Sequence, residues 1–450
     1  MNPPGSGFAA LRPSAGEATI AALVCISAAI QWNDGAIATG ALGLVTAGLF
    51  LCIWGFTSKD RRLRWMVPWA ALVYEILTLL NSQPPVGAAD RTAFQAIIWL
   101  ASASAIAAGG PLRLPWRRLA MVAAIAGVFL CGVLMLRSTP RPKVDVWDLH
   151  QEGAKALFSG TDPYAIRVRD MYPPEYSRLF YGPGMSLGGY LTVGFPYPPI
   201  SLYISSLGYL VAGDTRYAHL AAICLAALLL GFSGRGRIST LGALLLLFCP
   251  RVFFVVDANW TEPVVVFLFA LTVFCLRRYP RAAPWITGLL LTGKQYMIFT
   301  APAMLRRWRD VPKAMLAATL VTAPLVLWNV REFFNSAVFF HFAQPSRPDA
   351  LSYMAWLLRY GIHMPGWVPF LLTGIAMAYV LLRAPSTPTA ICSATSLVLI
   401  VFFVFNKSAF CNYYYLVVGA LGAAVATLDA GDAAVSDPST ADESHPTPLP

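Results

Sequence analysis

The run "LAMVAAIAGVFLCGVLML" (119–136) leads directly into "RSTPRPKVDVWDLHQEGAKALFSGTDPY" (137–164). The first stretch is uncharged and close to the ~20 apolar residues that carry an α-helix across a bilayer. The second gathers Asp145, Asp148, His150 and Glu152 within a few turns. A membrane-length helix that opens into an acid-rich loop sets the terms for the rest of the chain.

Apolar runs of this kind recur throughout, among them "TIAALVCISAAI" and "GALGLVTAGLFLCIWGF". Hydrophobic residues make up 57% of the chain and charged residues 12%, against about a quarter charged in an ordinary soluble domain. Only helices and closed barrels satisfy their backbone in lipid, and these runs are too continuous for the alternating strands of a barrel. The expected fold is an all-α polytopic membrane protein of about 12–14 transmembrane helices, with amphipathic helices in a long external loop. The lipid bilayer is then a partner. The net charge of +11 is read as cytoplasmic loop charge, and no nucleic-acid partner is expected. Eight cysteines stand singly in or beside apolar segments. No spacing among them suggests metal or redox chemistry, so neither a metal nor a cofactor is expected. The first apolar run lacks a basic leader and is read as a retained helix.

Basic clusters give the topology. "KDRRLR" (59–64), "RLPWRR" (113–118), "RGR" (235–237), "RRYPR" (277–281) and "RRWRDVPK" (306–313) belong in the cytoplasm by the positive-inside rule. Spans near 17–32, 36–56, 66–82 and 93–110, followed by 119–136, deliver the loop 137–197 to the outside. The resulting division is a cytoplasmic N-terminus (1–16), an extension of about four helices (17–118), a membrane unit (119–428) and an acidic, Pro/Ser-rich disordered tail (429–450). Later spans are expected at 216–233, 239–256, 262–278, 313–328, 365–383, 389–406 and 412–428, with 198–213 lying at the outer face. Residues 282–305 are flanked by cytoplasmic charge on both sides yet are too short for two crossings. A broken pair of half-helices meeting at "TGKQY" (292–296) resolves this and puts Lys294 at the break.

Of 22 acidic residues, six lie in the 137–197 loop, and among those inside spans Glu75 is the one well within. Asp145, Asp148 and Glu152 follow i, i+3, i+7 spacing, with Val146, Leu149, Gly153, Ala156 and Leu157 opposite. That is an amphipathic surface helix over 145–158, stopped by Gly160 and an Asp162-Pro163 turn.

"VDVWDLHQEGAKALFSGTDPY", followed after a gap by "FPYPPISLYI", resembles the first external loop of polyprenol-phosphate-sugar-dependent glycosyltransferases of the GT-C superfamily. The resemblance is nearest to glycosyltransferase family 87, the α-mannosyltransferase-like group. It rests on an aspartate before a short A-L-x-x-G helix, a P-Y turn, and a Y-P-P start to the next helix. It departs from the family in one respect, since about four helices precede the loop here rather than one.

The resemblance implies an enzyme on the outer or periplasmic side of a bacterial plasma membrane. It would transfer mannose or another sugar from a polyprenyl-phosphate-linked donor to a lipid or glycan acceptor. It further implies that a loop aspartate is the general base, Asp145 or alternatively Asp148. A departing lipid phosphate needs cations, and Lys294 at the helix break is the first choice. "FFHFAQPSRPDALSY" (339–353) adds His341, Arg347 and Asp349, "DANWTEP" (257–263) adds Asp257 and Glu262, and "FNKSAFCNYYYL" (405–416) adds Lys407 and Asn412. Tyr197 of the Y-P-P element completes the substrate-binding set. His150 and His219 are read as ordinary surface or packing residues. The competing class is a polytopic transporter or lipid-linked sugar flippase with the same helices and a basic cavity.

Overall fold

The computed structural model describes residues 13–60, 63–82, 84 and 86–428. The expected acidic tail, residues 1–12 of the N-terminal stretch and part of the first basic cluster lie outside the described residues. The chain is an all-α polytopic membrane protein, 73% helical. Among the described residues, seven helices are long and apolar enough to cross a membrane, and five shorter apolar helices accompany them.

Four helices come first: α1 (Ala15–Gln31), α2 (Thr39–Thr57), α3 (Met66–Asn81) and α4 (Ala88–Gly109). Helix α1 opens on a capping box in which the Ser14 hydroxyl and the Glu17 carboxylate each accept the other's amide, both at 3.2 Å, satisfying two donors that the helix itself leaves unpaired. The long α5 (Leu114–Ser138) then leads into the loop, which folds into α6 (Asp145–Phe158), α7 (Pro174–Tyr181) and a hairpin. The hairpin pairs β1 (Ser186–Leu187) with β2 (Tyr190–Leu191). Gly188 and Gly189 turn it with φ of +60° and +81°, a conformation that matches strand twist and that glycine adopts freely. No strand was expected here.

Helix α8 (Pro199–Ala212) packs on α6 and returns through α9 (Arg216–Ser233). The single span expected at 239–256 is instead α10 (Arg237–Leu247) and α11 (Val252–Asp257). Pro250 lies between them, where it withholds an N–H and disfavours helical backbone at Cys249. After α12 (Glu262–Arg278) and α13 (Ala283–Leu291) the chain leaves the helical path, with Lys294 extended at φ −156°, ψ 151°. The far arm of this break is a 3₁₀ turn (Gln295–Thr300) and the four-residue α14 (Ala301–Met304), rather than a matching half-helix. Pro302 removes an N–H where that arm would need one.

The chain closes with α15 (Val311–Trp328), α16 (Val330–Phe334), α17 (Phe340–Ala343), α18 (Tyr353–Leu358), α19 (Val368–Arg383), α20 (Pro388–Phe405) and α21 (Cys411–Ala426). Helix α1 packs on α21 and α2 on α20. Leu23, Ile26, Leu72, Leu246 and Leu421 belong to one continuous core, so the four N-terminal helices share their packing with the rest.

A buried ionic knot ties the loop to this core. The Arg216 side chain is fully buried, and its Nη2 donates to Asp214 Oδ2 and to the Thr139 carbonyl, while Nη1 donates to Asp257 Oδ1, each at 2.7 Å. The end of α5, the start of α9 and the end of α11 are thereby joined at one guanidinium. Arg216→Met would leave two carboxylates facing each other without a cation. Stability in detergent is expected to fall by about 3 kcal/mol, read from the thermal unfolding midpoint. Arg216→Lys should recover only part, because an ammonium cannot reproduce the planar fork.

Candidate functional site

A cavity of about 360 Å³ lies where the N-terminus of α6, α7, the Phe195–Tyr197 turn, the break at Lys294 and the 340–349 and 408–413 segments meet. Asp145, Tyr197, Lys294, His341, Arg347 and Asp349 all line it. These residues are separated by up to 204 positions in the chain and are brought together by the fold.

Asp145 is the first residue of α6, a position where the helix dipole favours a carboxylate. Its Oδ2 accepts from the Tyr181 hydroxyl at 2.6 Å, and its Oδ1 accepts from the Tyr172 hydroxyl at 3.4 Å and the Val146 amide at 2.9 Å. Burial raises its pKa above the ordinary carboxylate range, opposed by the bond from Tyr181 and by the charge of Arg347. The side chain is therefore a better proton acceptor than a surface aspartate. Asp148 lies one turn on and outside the cavity lining, 3.7 Å from Arg141. Glu152 pairs with Lys155 at 3.6 Å. The three acids share a face of α6, but Asp145 alone among them enters the cavity lining. Tyr172 and Tyr181 were missed from sequence; the aromatic-rich "YPPEYSRLFY" (172–181) was the available signal. Tyr181→Phe removes a donor that favours the ionised carboxylate, so the Asp145 pKa should rise further. The acid limb of the pH–rate profile should then move to higher pH, a shift that a purely structural role would not produce.

Lys294 Nζ lies 2.5 Å from Glu262 Oε1 and faces the rings of Tyr197, Tyr296 and Tyr413 at 5.0–5.5 Å. Tyr296 donates to the same Glu262 oxygen at 2.8 Å. Glu262 sits behind the lysine and outside the lining, its Oε2 unpartnered among the described residues. An ammonium has three N–H donors, so one can hold Glu262 while the others serve an anion in the cavity.

Arg347 forks onto Asp349, with Nε to Oδ1 at 2.9 Å and Nη2 to Oδ2 at 2.7 Å. Its guanidinium stacks over Phe180 at 3.8 Å and Phe410 at 4.9 Å, which fixes its plane. His341 donates from Nε2 to the Pro196 carbonyl at 2.7 Å, an acceptor it shares with Gln295 Nε2 at 2.8 Å. Burial pushes His341 down to about 4, so it is neutral at physiological pH and secures the Y-P-P turn. Lys407 lies outside the lining and donates to the carbonyls of Phe342 and Gln344 at 3.1 and 2.5 Å, bracing the loop that carries Arg347.

Asp257 is committed to Arg216 and to Thr139 at 2.7 Å and lies outside the cavity lining. The Thr261 hydroxyl makes no capping bond to α12. His150 and His219 are both fully buried and pack edge to face at 5.2 Å; the packing alternative describes them. His150 also stacks on Tyr197 at 5.6 Å, supporting the cavity wall from behind.

The cavity thus sets the partly buried carboxylate of Asp145 beside two cations, the requirements for removing a proton from one group and receiving negative charge on another. No family model matches the chain, and no curated protein matches it. Among solved structures, ArnT from Cupriavidus metallidurans bound to undecaprenyl phosphate is similar, with a TM-score of 0.45 and 16% identity. The similarity covers 70% of this chain, which spans 60% of that one.

Proposed function

We propose that this chain is a membrane glycosyltransferase of the GT-C type. It moves a sugar, mannose or another hexose or pentose, from a polyprenyl-phosphate donor to a lipid or glycan acceptor on the extracytoplasmic side. The observation that carries this reading is Asp145, partly buried and held by Tyr181, in the wall of the same cavity as Lys294 and Arg347. The loop motif from Asp145 to Tyr164, with its Y-P-P sequel, supports it independently.

In this reading the acceptor hydroxyl gives its proton to the Asp145 carboxylate as its oxygen bonds to the sugar C1. The C1–O bond to the lipid phosphate breaks, and the electron pair leaves on that phosphate. A phosphate diester becomes a monoester, and Lys294 and Arg347 meet the added negative charge. A single displacement inverts the anomeric centre, as in inverting glycosidases.

The test supplies membranes containing the protein with labelled polyprenyl-phosphate mannose or polyprenyl-phosphate arabinose and follows each label into lipid and glycan fractions. Transfer of one label to a new product is expected. Label that crosses the bilayer still attached to its polyprenyl phosphate would instead establish the flippase reading.

A further inference from the structure

The N-terminal helices reach the cavity through the turn between α1 and α2. Asp34 and Ala36 of the sequence "WNDG" and its sequel line the same cavity as Asp145 and Lys294. Asn33 and Asp34 both hold left-handed backbone, with φ of 49° and 55°. Two consecutive non-glycine residues in that region are costly and persist only where the surroundings fix them.

Three contacts do so. Arg251 Nη2 donates to Asp34 Oδ1 at 2.6 Å, and the Ile37 amide donates to the Asp349 carbonyl at 3.0 Å. Gly35, at φ +76°, lies so close to Cys411 that an added Cβ would sit 2.5 Å from the Cys411 Cβ. The next residue, Asn412, is 4% exposed, lines the cavity, and has an Oδ1 with no partner among the described residues.

A buried amide oxygen without a donor costs free energy unless a ligand or water supplies one. Asp34 Oδ2 likewise makes no bond within the described residues, and its side chain is 77% exposed. Asp34 Oδ2 is open to solvent and Asn412 Oδ1 is the buried acceptor; both oxygens accept hydrogen bonds and donate none. Anions would be repelled by Asp34, whereas a sugar presents several O–H donors.

We propose that the α1–α2 turn and Asn412 form the acceptor subsite of this cavity, with Asp34 and Asn412 Oδ1 taking hydrogen bonds from the hydroxyls of a neutral sugar. This rests on the glycosyltransferase reading only for which substrate the sugar belongs to. It gives the N-terminal extension a part in substrate selection.

The test uses the full chain in detergent with methyl mannoside, methyl glucoside and methyl arabinoside as probes, followed by saturation-transfer NMR. At least one should bind saturably, and Asp34→Asn should weaken that binding by about ten- to hundredfold with no fall in unfolding temperature. Arg251→Lys keeps both the carboxylate and a cation, so it should change affinity by less than about threefold. Any of three results would overturn the subsite: no probe binds the unaltered protein, Asp34→Asn binds as well as it does, or Arg251→Lys loses as much. The labelled-donor assay judges the other reading separately. Sugar binding without donor consumption would leave the subsite standing and remove the transferase, and donor transfer with an inert Asp34 would do the reverse.

Discussion

Asp145→Asn is expected to lower turnover by about two to four orders of magnitude, the usual range for loss of a general base. Asparagine keeps the shape and can still accept from Tyr181, which bonds the aspartate at 2.6 Å, but it cannot take a proton from the acceptor. Donor binding should change far less, because Lys294 and Arg347 are untouched. Stability should move the other way. Burial raises the Asp145 pKa, so folding disfavours the charged form, and stability is lost as pH rises from the unfolded to the folded pKa. The neutral amide escapes that penalty, and the unfolding temperature at neutral pH should rise. On the proposed mechanism the same raised pKa moves the acid limb of activity in the unaltered protein to higher pH than for an unperturbed aspartate, and activity falls as pH drops through it. Asp148→Asn should stay close to the unaltered protein, since its side chain faces Arg141. Turnover measured for both variants on one donor decides between the two carboxylates. A silent Asp145→Asn beside a dead Asp148→Asn would reverse the assignment, and two fully active variants would remove the mechanism.

Lys294→Ala should produce the second large effect, and it combines two losses. The cavity loses a cation for the lipid phosphate, which should weaken donor binding by about a hundredfold, the scale of a charge-assisted contact. Glu262 is also stranded, fully buried, at a cost of about 3–5 kcal/mol for a broken buried pair. The double variant Lys294→Met, Glu262→Gln separates these. Removing both charges should restore most of the unfolding temperature, while donor binding stays as weak as in Lys294→Ala. If the double variant regained donor binding together with stability, Lys294 would be a structural residue only. Lys294→Arg should keep part of the binding, limited by a tyrosine-walled space shaped for an ammonium.

Much of this arrangement was legible in local sequence. The surface helix at 145–158 follows from spacing alone, and the helix break at Lys294 follows from two cytoplasmic flanks too close together for two crossings. The choice between Asp145 and Asp148 was not legible, because positions i and i+3 share a helix face. What separates them is Tyr172 and Tyr181, 27 and 36 residues away, and a cavity wall assembled largely from more distant segments. Lys407 stood among the substrate-binding candidates because sequence shows a charge and not its hydrogen-bond partners. Asp257 misled for the same reason, since its partner Arg216 is 41 positions distant. The stop at Pro250 was readable from proline chemistry, yet apolar run length overrode it; the Gly188–Gly189 turn was readable too, but its flanking strands are only two residues each.

Helix α15 shows how far the protein depends on what surrounds it. The apolar stretch Trp308–Trp328 is only 17% buried within the chain, against 83% for Pro388–Phe405. It touches α13 along a narrow seam that includes Ala314 and Ala317, while Leu320 and Leu327 are 63% and 75% exposed. Lipid tails are as apolar as leucine, so the exposed side provides no force that holds α15 to its neighbours. On that side hydrophobic matching acts, with Trp308 and Trp328 at its two ends, while Leu325 is buried with Val146, Tyr164 and Tyr197 on the other. The segment carrying His341 and Arg347 begins directly after it. If bilayer thickness acts on the cavity through this helix, reconstitution into vesicles of graded acyl-chain length should give an optimum in rate that detergent micelles do not reproduce.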